Sequence, residues 1–150
     1  MGKILDQARE VIKRIEENDQ APTVRITATA AAEPLPVTSS KFGGVPYLPA
    51  GVDAPANKEG QPLGMIAQIN CAELPQNTIY PESGMLQFWL NPRHPQWGMN
   101  INDGLAGADA RVIYWEELGA ANPHACAVEA NWEEHYWPID PPTREISLIF

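Results

Sequence analysis

Residues 23–30 read Thr-Val-Arg-Ile-Thr-Ala-Thr-Ala, a strict alternation of polar and apolar side chains. Val24, Ile26, Ala28 and Ala30 fall on one face; Thr23, Arg25, Thr27 and Thr29 fall on the other. A period of two is the signature of a half-buried β-strand. Just upstream the period changes. Ile4, Leu5, Ala8, Val11, Ile12 and Ile15 recur at three- and four-residue steps. That spacing predicts one apolar stripe of a helix over about residues 3–17. Glu10 and Arg14 stand in the favourable i,i+4 order on its charged face. So short a helix is marginal alone and needs an apolar surface to dock on. That surface is either the chain's own sheet or a partner protein or membrane. The polar face is not strongly basic, which favours the sheet.

Downstream come short apolar runs separated by long punctuated segments. Between Glu33 and Pro62 lie Pro34, Pro36, Pro46, Pro49, Pro55 and Pro62, with Gly43, Gly44, Gly51 and Gly60. Each proline fixes φ and removes a donor, so few ladder bonds are expected there. Phe42, Val45, Tyr47 and Leu48 are nevertheless apolar. An ordered loop pinned to the core fits them better than a linker. Leu63–Asn70, Met85–Leu90, Arg111–Trp115 and Glu145–Phe150 read as strands. Residues 91–110 form a second long loop, and 116–135 are ambiguous. One helix followed by separated strands predicts an α+β domain. In it the amphipathic helix packs on a largely antiparallel or mixed sheet with long Pro/Gly-rich loops.

Composition bounds the function. The chain has 150 residues, the size of one ordinary domain. Its 15 prolines, about twice the usual share, leave few windows for a helix bundle. Lys and Arg total 10 against 19 Asp and Glu, a formal charge of −9. The imbalance sits in residues 73–150, where three Arg face eleven acids. Nucleic acid needs clustered bases to displace its counterions, so it is excluded as a partner. No apolar run reaches the roughly 18–20 residues that span a bilayer, so no membrane partner is expected. The charged N-terminus lacks a signal-peptide core, and Asp6 stands where a myristoylation signal needs Ser or Thr. Only Cys71 and Cys126 are present, which fits a reduced, cytoplasmic setting.

One ordered series of motifs carries a resemblance. It runs Ser40-Lys-Phe-Gly-Gly-Val-Pro-Tyr-Leu-Pro49, Pro62-Leu-Gly-Met-Ile-Ala-Gln-Ile-Asn70 and Glu73-Leu-Pro75. It continues through Tyr80-Pro-Glu-Ser-Gly-Met-Leu-Gln-Phe-Trp89, Gly107-Ala-Asp109 and Arg111-Val-Ile-Tyr114. Over about residues 38–115 this resembles the YwqG-like family, a bacterial domain family of unknown function. The resemblance implies an α+β fold and carries no catalytic residue or cofactor. Family members continue further, to a Gly/Pro motif followed by Gln. The chain is therefore expected to be a single YwqG-like domain in a shortened or partial version.

No chemistry has its full signature. Lys41 precedes Gly43 and Gly44, whereas a phosphate loop places Lys after its last Gly. The glycines suit backbone turns, and Lys41 either contacts a ligand or pairs an acid. His124, Cys126 and His135 lack zinc spacing, so no metal or cofactor is expected. Cys71 ends a strand without a neighbouring activating base, which favours a small buried thiol over a nucleophile. Glu116–Glu117 and Glu133–Glu134 are adjacent acids, which diverge rather than face each other across a cleft. Trp89 alternates with Leu86, Phe88 and Leu90, so a helix on their face leaves Trp89 under a loop or exposed.

Two functions remain. The first is a non-catalytic protein-interaction module using the long loops, with Lys41, His94 and Trp97 as contacts. The second is a small-molecule binder or enzyme whose site lies between the Gly-Gly loop and the sheet, lined by Gln68 and Gln87. The apolar terminus Ile146-Ser-Leu-Ile-Phe150 leaves a strand edge to cover. It is expected to pair inside the sheet or with a second copy as a homo-oligomer.

Overall fold

The computed structural model describes residues 2–18, 22–96, 109–129 and 136–150. Helix α1 spans Gly2–Asn18. Six strands follow: β1 (Thr27–Ala30), β2 (Lys41–Gly43), β3 (Gly64–Asn70), β4 (Met85–Leu90), β5 (Ala110–Trp115) and β6 (Glu145–Ile149). They form one sheet in the order β1-β6-β2-β3-β4-β5, and every neighbouring pair is antiparallel. The architecture is α+β, as the periodicities predict. The C-terminal strand β6 lies inside the sheet, with β1 on one edge and β2 on the other.

β2 was not visible in the sequence. Three residues between prolines and glycines give no period to read, yet Lys41 pairs Gln68 on one side and Ser147 on the other. The turn after it explains the two glycines. Gly43 and Gly44 both have φ of +69°, and a Cβ on Gly43 would sit 2.5 Å from the Arg144 carbonyl. A Cβ on Gly44 would collide with the Glu145 side chain. Only glycine meets both conditions.

The core lies between one sheet face and the loops. Leu48 from the Pro/Gly-rich segment packs with Leu63, Met65 and Trp89. Each such burial contributes about 1.5–3 kcal/mol against exposure. Trp89 thus lies under a loop, and Tyr47 beside it is fully buried. The predicted ordering of this loop on the core is what the chain adopts.

Two expectations change. β1 is shorter than the alternating run and is exposed along its length, because it is the edge strand and its side chains are small: Thr27 and Thr29 on the inner face, Ala28 and Ala30 on the outer. The apolar stripe of α1 does not gain the burial expected of it. Every residue from Lys3 to Glu17 is exposed, Ile4 by 73% and Ile12 by 55%. The ion pair Lys13–Glu17, 3.8 Å apart on the solvent side, adds little.

Candidate functional site

The register sorts side chains into two rows of opposite character. On the inner face one row runs Thr29, Ser147, Lys41, Gln68, Gln87 and Ile113 across all six strands. Lys41, Gln68 and Gln87 are completely buried. Their polar groups hold the loops. Gln68 Oε1 accepts from the Tyr47 N–H (2.8 Å), while its Nε2 donates to the carbonyls of Val37 (2.7 Å) and Ser39 (2.8 Å). Gln87 Nε2 donates to the Tyr47 carbonyl (2.6 Å), and its Oε1 accepts from the indoles of Trp115 (2.8 Å) and Trp89 (3.3 Å). Buried amides need such partners, and here the partners are mostly loop backbone. The glutamines' hydrogen bonds are thus spent on loop backbone and indoles, and neither side chain is in the lining of the two cavities described below. Gln87 falls in phase with Met85 and Trp89, and the structure buries all three.

Lys41 takes the acid-pairing alternative. Its Nζ lies 2.6 Å from Glu145 Oε1, and Glu145 Oε2 accepts from the Leu35 N–H at 2.6 Å. With its ammonium buried and paired, Lys41 is not a residue of an exposed contact surface. The pair lies in the lining of a groove of about 620 Å³, together with Pro34, Leu35, Val45, Thr143 and Arg144. A smaller recess of about 300 Å³ opens beside Leu63, Met65, Trp89 and Arg93.

The outer face is the reverse. Here the row reads Ala30, Ile146, Phe42, Ala67, Phe88 and Val112, again across six strands. Flanking it are Ala28 and Leu148, and the set Ile69, Leu86 and Tyr114. Every one of these side chains is apolar or aromatic. Val112 is 66% and Tyr114 42% exposed; Phe42, Phe88, Leu86, Ile69 and Ile146 remain partly open. The Tyr114 hydroxyl donates to the Ser83 carbonyl at 2.9 Å, which leaves its ring lying on the face. Sheets are usually apolar toward the core and polar toward water. In this sheet the buried row carries the polar side chains Lys41, Gln68 and Gln87, whereas the apolar outer row is open at β5 and partly open along Ile146, Phe42 and Phe88, with Ala67 and Leu148 buried.

Among the described residues the other sequence candidates do not converge. His94 is partly buried, and its Nδ1 accepts from the Gln96 N–H at 3.1 Å. Trp97, Trp132, Glu133, Glu134 and His135 lie outside the described residues. Cys71 is buried at the end of β3; burial pushes its thiol pKa up, against a smaller pull from a backbone hydrogen bond at Leu86. A raised pKa works against nucleophilic use. Cys126 is exposed, and both cysteines are free. Among the described residues no three His, Cys, Asp or Glu side chains group as metal ligands. No helix among them is long and apolar enough to cross a membrane. Sequence reasoning missed the outer face as a surface, because Leu86, Phe88, Val112 and Tyr114 read equally well as core.

No curated protein matches the chain. The family model of a domain of unknown function, DUF1963, matches residues 40–148, from the serine ahead of β2 to the buried leucine of β6. That span holds β2 to β6, both rows of their side chains and the Lys41–Glu145 pair. The chain belongs to the DUF1963 family.

Proposed function

We propose that the chain is a non-catalytic protein-interaction module and that the outer face of its sheet is the binding surface. One observation carries this reading: the apolar outer face, exposed at Val112 and Tyr114 on β5 and partly open at Phe88, Leu86, Phe42 and Ile146. Contiguous exposed apolar surface is rare on a protein that works alone and marks association sites. The binding surface thus moves from the long loops to the sheet, since Lys41 is buried and paired. A YwqG-like identity rests on the ordered motifs from Ser40 to Tyr114, and two free thiols suit a bacterial cytoplasm.

Affinity capture from cell extract tests it, with the wild-type chain compared with Val112→Lys/Tyr114→Lys. Loss of captured protein in the double variant is expected. An identical set of captured proteins would sink the assignment of this face.

A second reading has its own observation, the groove of about 620 Å³ beside Lys41 and Glu145. It would take a small polar molecule. A thermal-shift screen separates the two, since a native-state ligand raises stability by mass action. Stabilisation by one metabolite class, lost in Arg144→Ala, favours the groove.

A further inference from the structure

Two surfaces of this chain are apolar, open and matched in size. One is the stripe of α1, with Ile4, Leu5, Val11, Ile12 and Ile15 all more than half exposed. The other is the outer face of the sheet. At about 1.5 Å per residue α1 is roughly 26 Å long. Five interstrand steps of about 4.8 Å make the six-strand row roughly 24 Å wide. A helix laid along that row puts its stripe over Ile146, Phe42, Phe88 and Val112. In the single chain this contact is not made: every α1 residue from Lys3 to Glu17 is exposed, and Val112 and Tyr114 stay open on the face.

We infer that the occupant of the outer face is α1 of a second copy, in a twofold dimer in which each copy's helix covers the other's sheet. This rests on reading the outer face as a protein-binding surface and names its partner. Two complementary patches on one chain make a closed, self-complementary pair, since patch meets counterpart twice. Five large side chains per helix, each more than half exposed, set against a sheet face open at Val112 and Tyr114 and partly open beyond, bury on the order of 1,500 Å² over both contacts. That reaches the size of stable interfaces, about 1,200–2,000 Å². β6 plays no part as a free edge, because both its edges are filled within the chain.

Sedimentation velocity across a wide concentration range tests the dimer. The wild-type chain is expected at twice its 16.5 kDa mass. Ile12→Asp in α1 and Val112→Asp in β5 each place a charge in both contacts and should weaken dimerisation by about a hundredfold or more. Both positions are over half exposed, so folding is preserved; unchanged circular dichroism and thermal midpoint verify this. The decisive arm mixes the two variants. The intact helix of one copy meets the intact face of the other, so a heterodimer forms with one of its two contacts. A monomeric wild type overturns the inference, whether its α1 amides are protected by closure on the same chain or exchange freely. So does a dimer indifferent to both substitutions, or a mixture that stays monomeric. The broader reading is judged apart: a monomer whose capture of other proteins is lost in Val112→Lys/Tyr114→Lys keeps the face and loses only the second copy.

Discussion

Replacing Gln68 with Leu removes the centre of the buried polar row. Leu fills a similar volume but offers no hydrogen bond. Three loop groups lose their side-chain partner: the Tyr47 N–H and the carbonyls of Val37 and Ser39. Gln87 Nε2 also loses one of its two acceptors, the 3.3 Å contact to Gln68 Oε1. A buried group left unsatisfied costs about 1–3 kcal/mol. The two carbonyls are partly accessible and take the low end. The expected loss is about 3–5 kcal/mol, a large share of the roughly 5–15 kcal/mol that a domain holds. Urea unfolding measures it. With a slope of about 2 kcal/mol/M, the midpoint should fall by roughly 1.5–2.5 M at unchanged slope. Glu59→Gln, on an exposed turn, serves as the control and should shift little. A loss below about 1 kcal/mol for Gln68→Leu would refute the view that this row ties the loops to the sheet.

Further outcomes follow from the same geometry. In a double-mutant cycle of Lys41→Met and Glu145→Gln, chemical denaturation should show a coupling of about 1–3 kcal/mol, because each single change leaves a buried or half-buried partner unpaired. Gly44→Ala should cost more than Gly51→Ala in thermal unfolding: both have positive φ, but only Gly44 meets a side chain, whereas Gly51 faces open space. Iodoacetamide at mildly alkaline pH should label Cys126 and spare Cys71, read by mass spectrometry of the native chain. Because burial raises the Cys71 pKa in the fold, the folded state holds this proton more tightly than the unfolded chain. Its contribution to stability is therefore complete below the thiol's ordinary 9.0 and falls as pH rises beyond it, which a pH series of unfolding midpoints checks.

Much of the sheet was legible because four of its strands are long enough to show a pattern. β4 matches the run Met85–Leu90, and β3, β5 and β6 differ from their apolar runs by one residue at an end. β2 was hidden because three residues carry no period and proline and glycine flank them. The helix was legible as a stripe, but a stripe does not say what covers it. The same ambiguity hid the outer face. β4 alternates Met85, Gln87 and Trp89 with Leu86, Phe88 and Leu90, and both sets are largely apolar. Composition alone cannot say which set is buried. The resolving feature is Gln87, whose amide is satisfied only where loop backbone and indoles surround it. The polar residue thus marks the inside of this sheet, opposite to the usual rule. Lys41 follows the same logic: its burial depends on Glu145, over a hundred residues away, and no local pattern announces that partner.

On the proposed function, the outer face of the sheet is where this chain meets protein. Photo-crosslinking tests it most directly, with a benzophenone side chain placed at Val112 on that face or at Glu59 on the loop side, and the chain expressed in living cells. Protein adducts are expected from position 112 and none from position 59. Adducts confined to position 59 would contradict it.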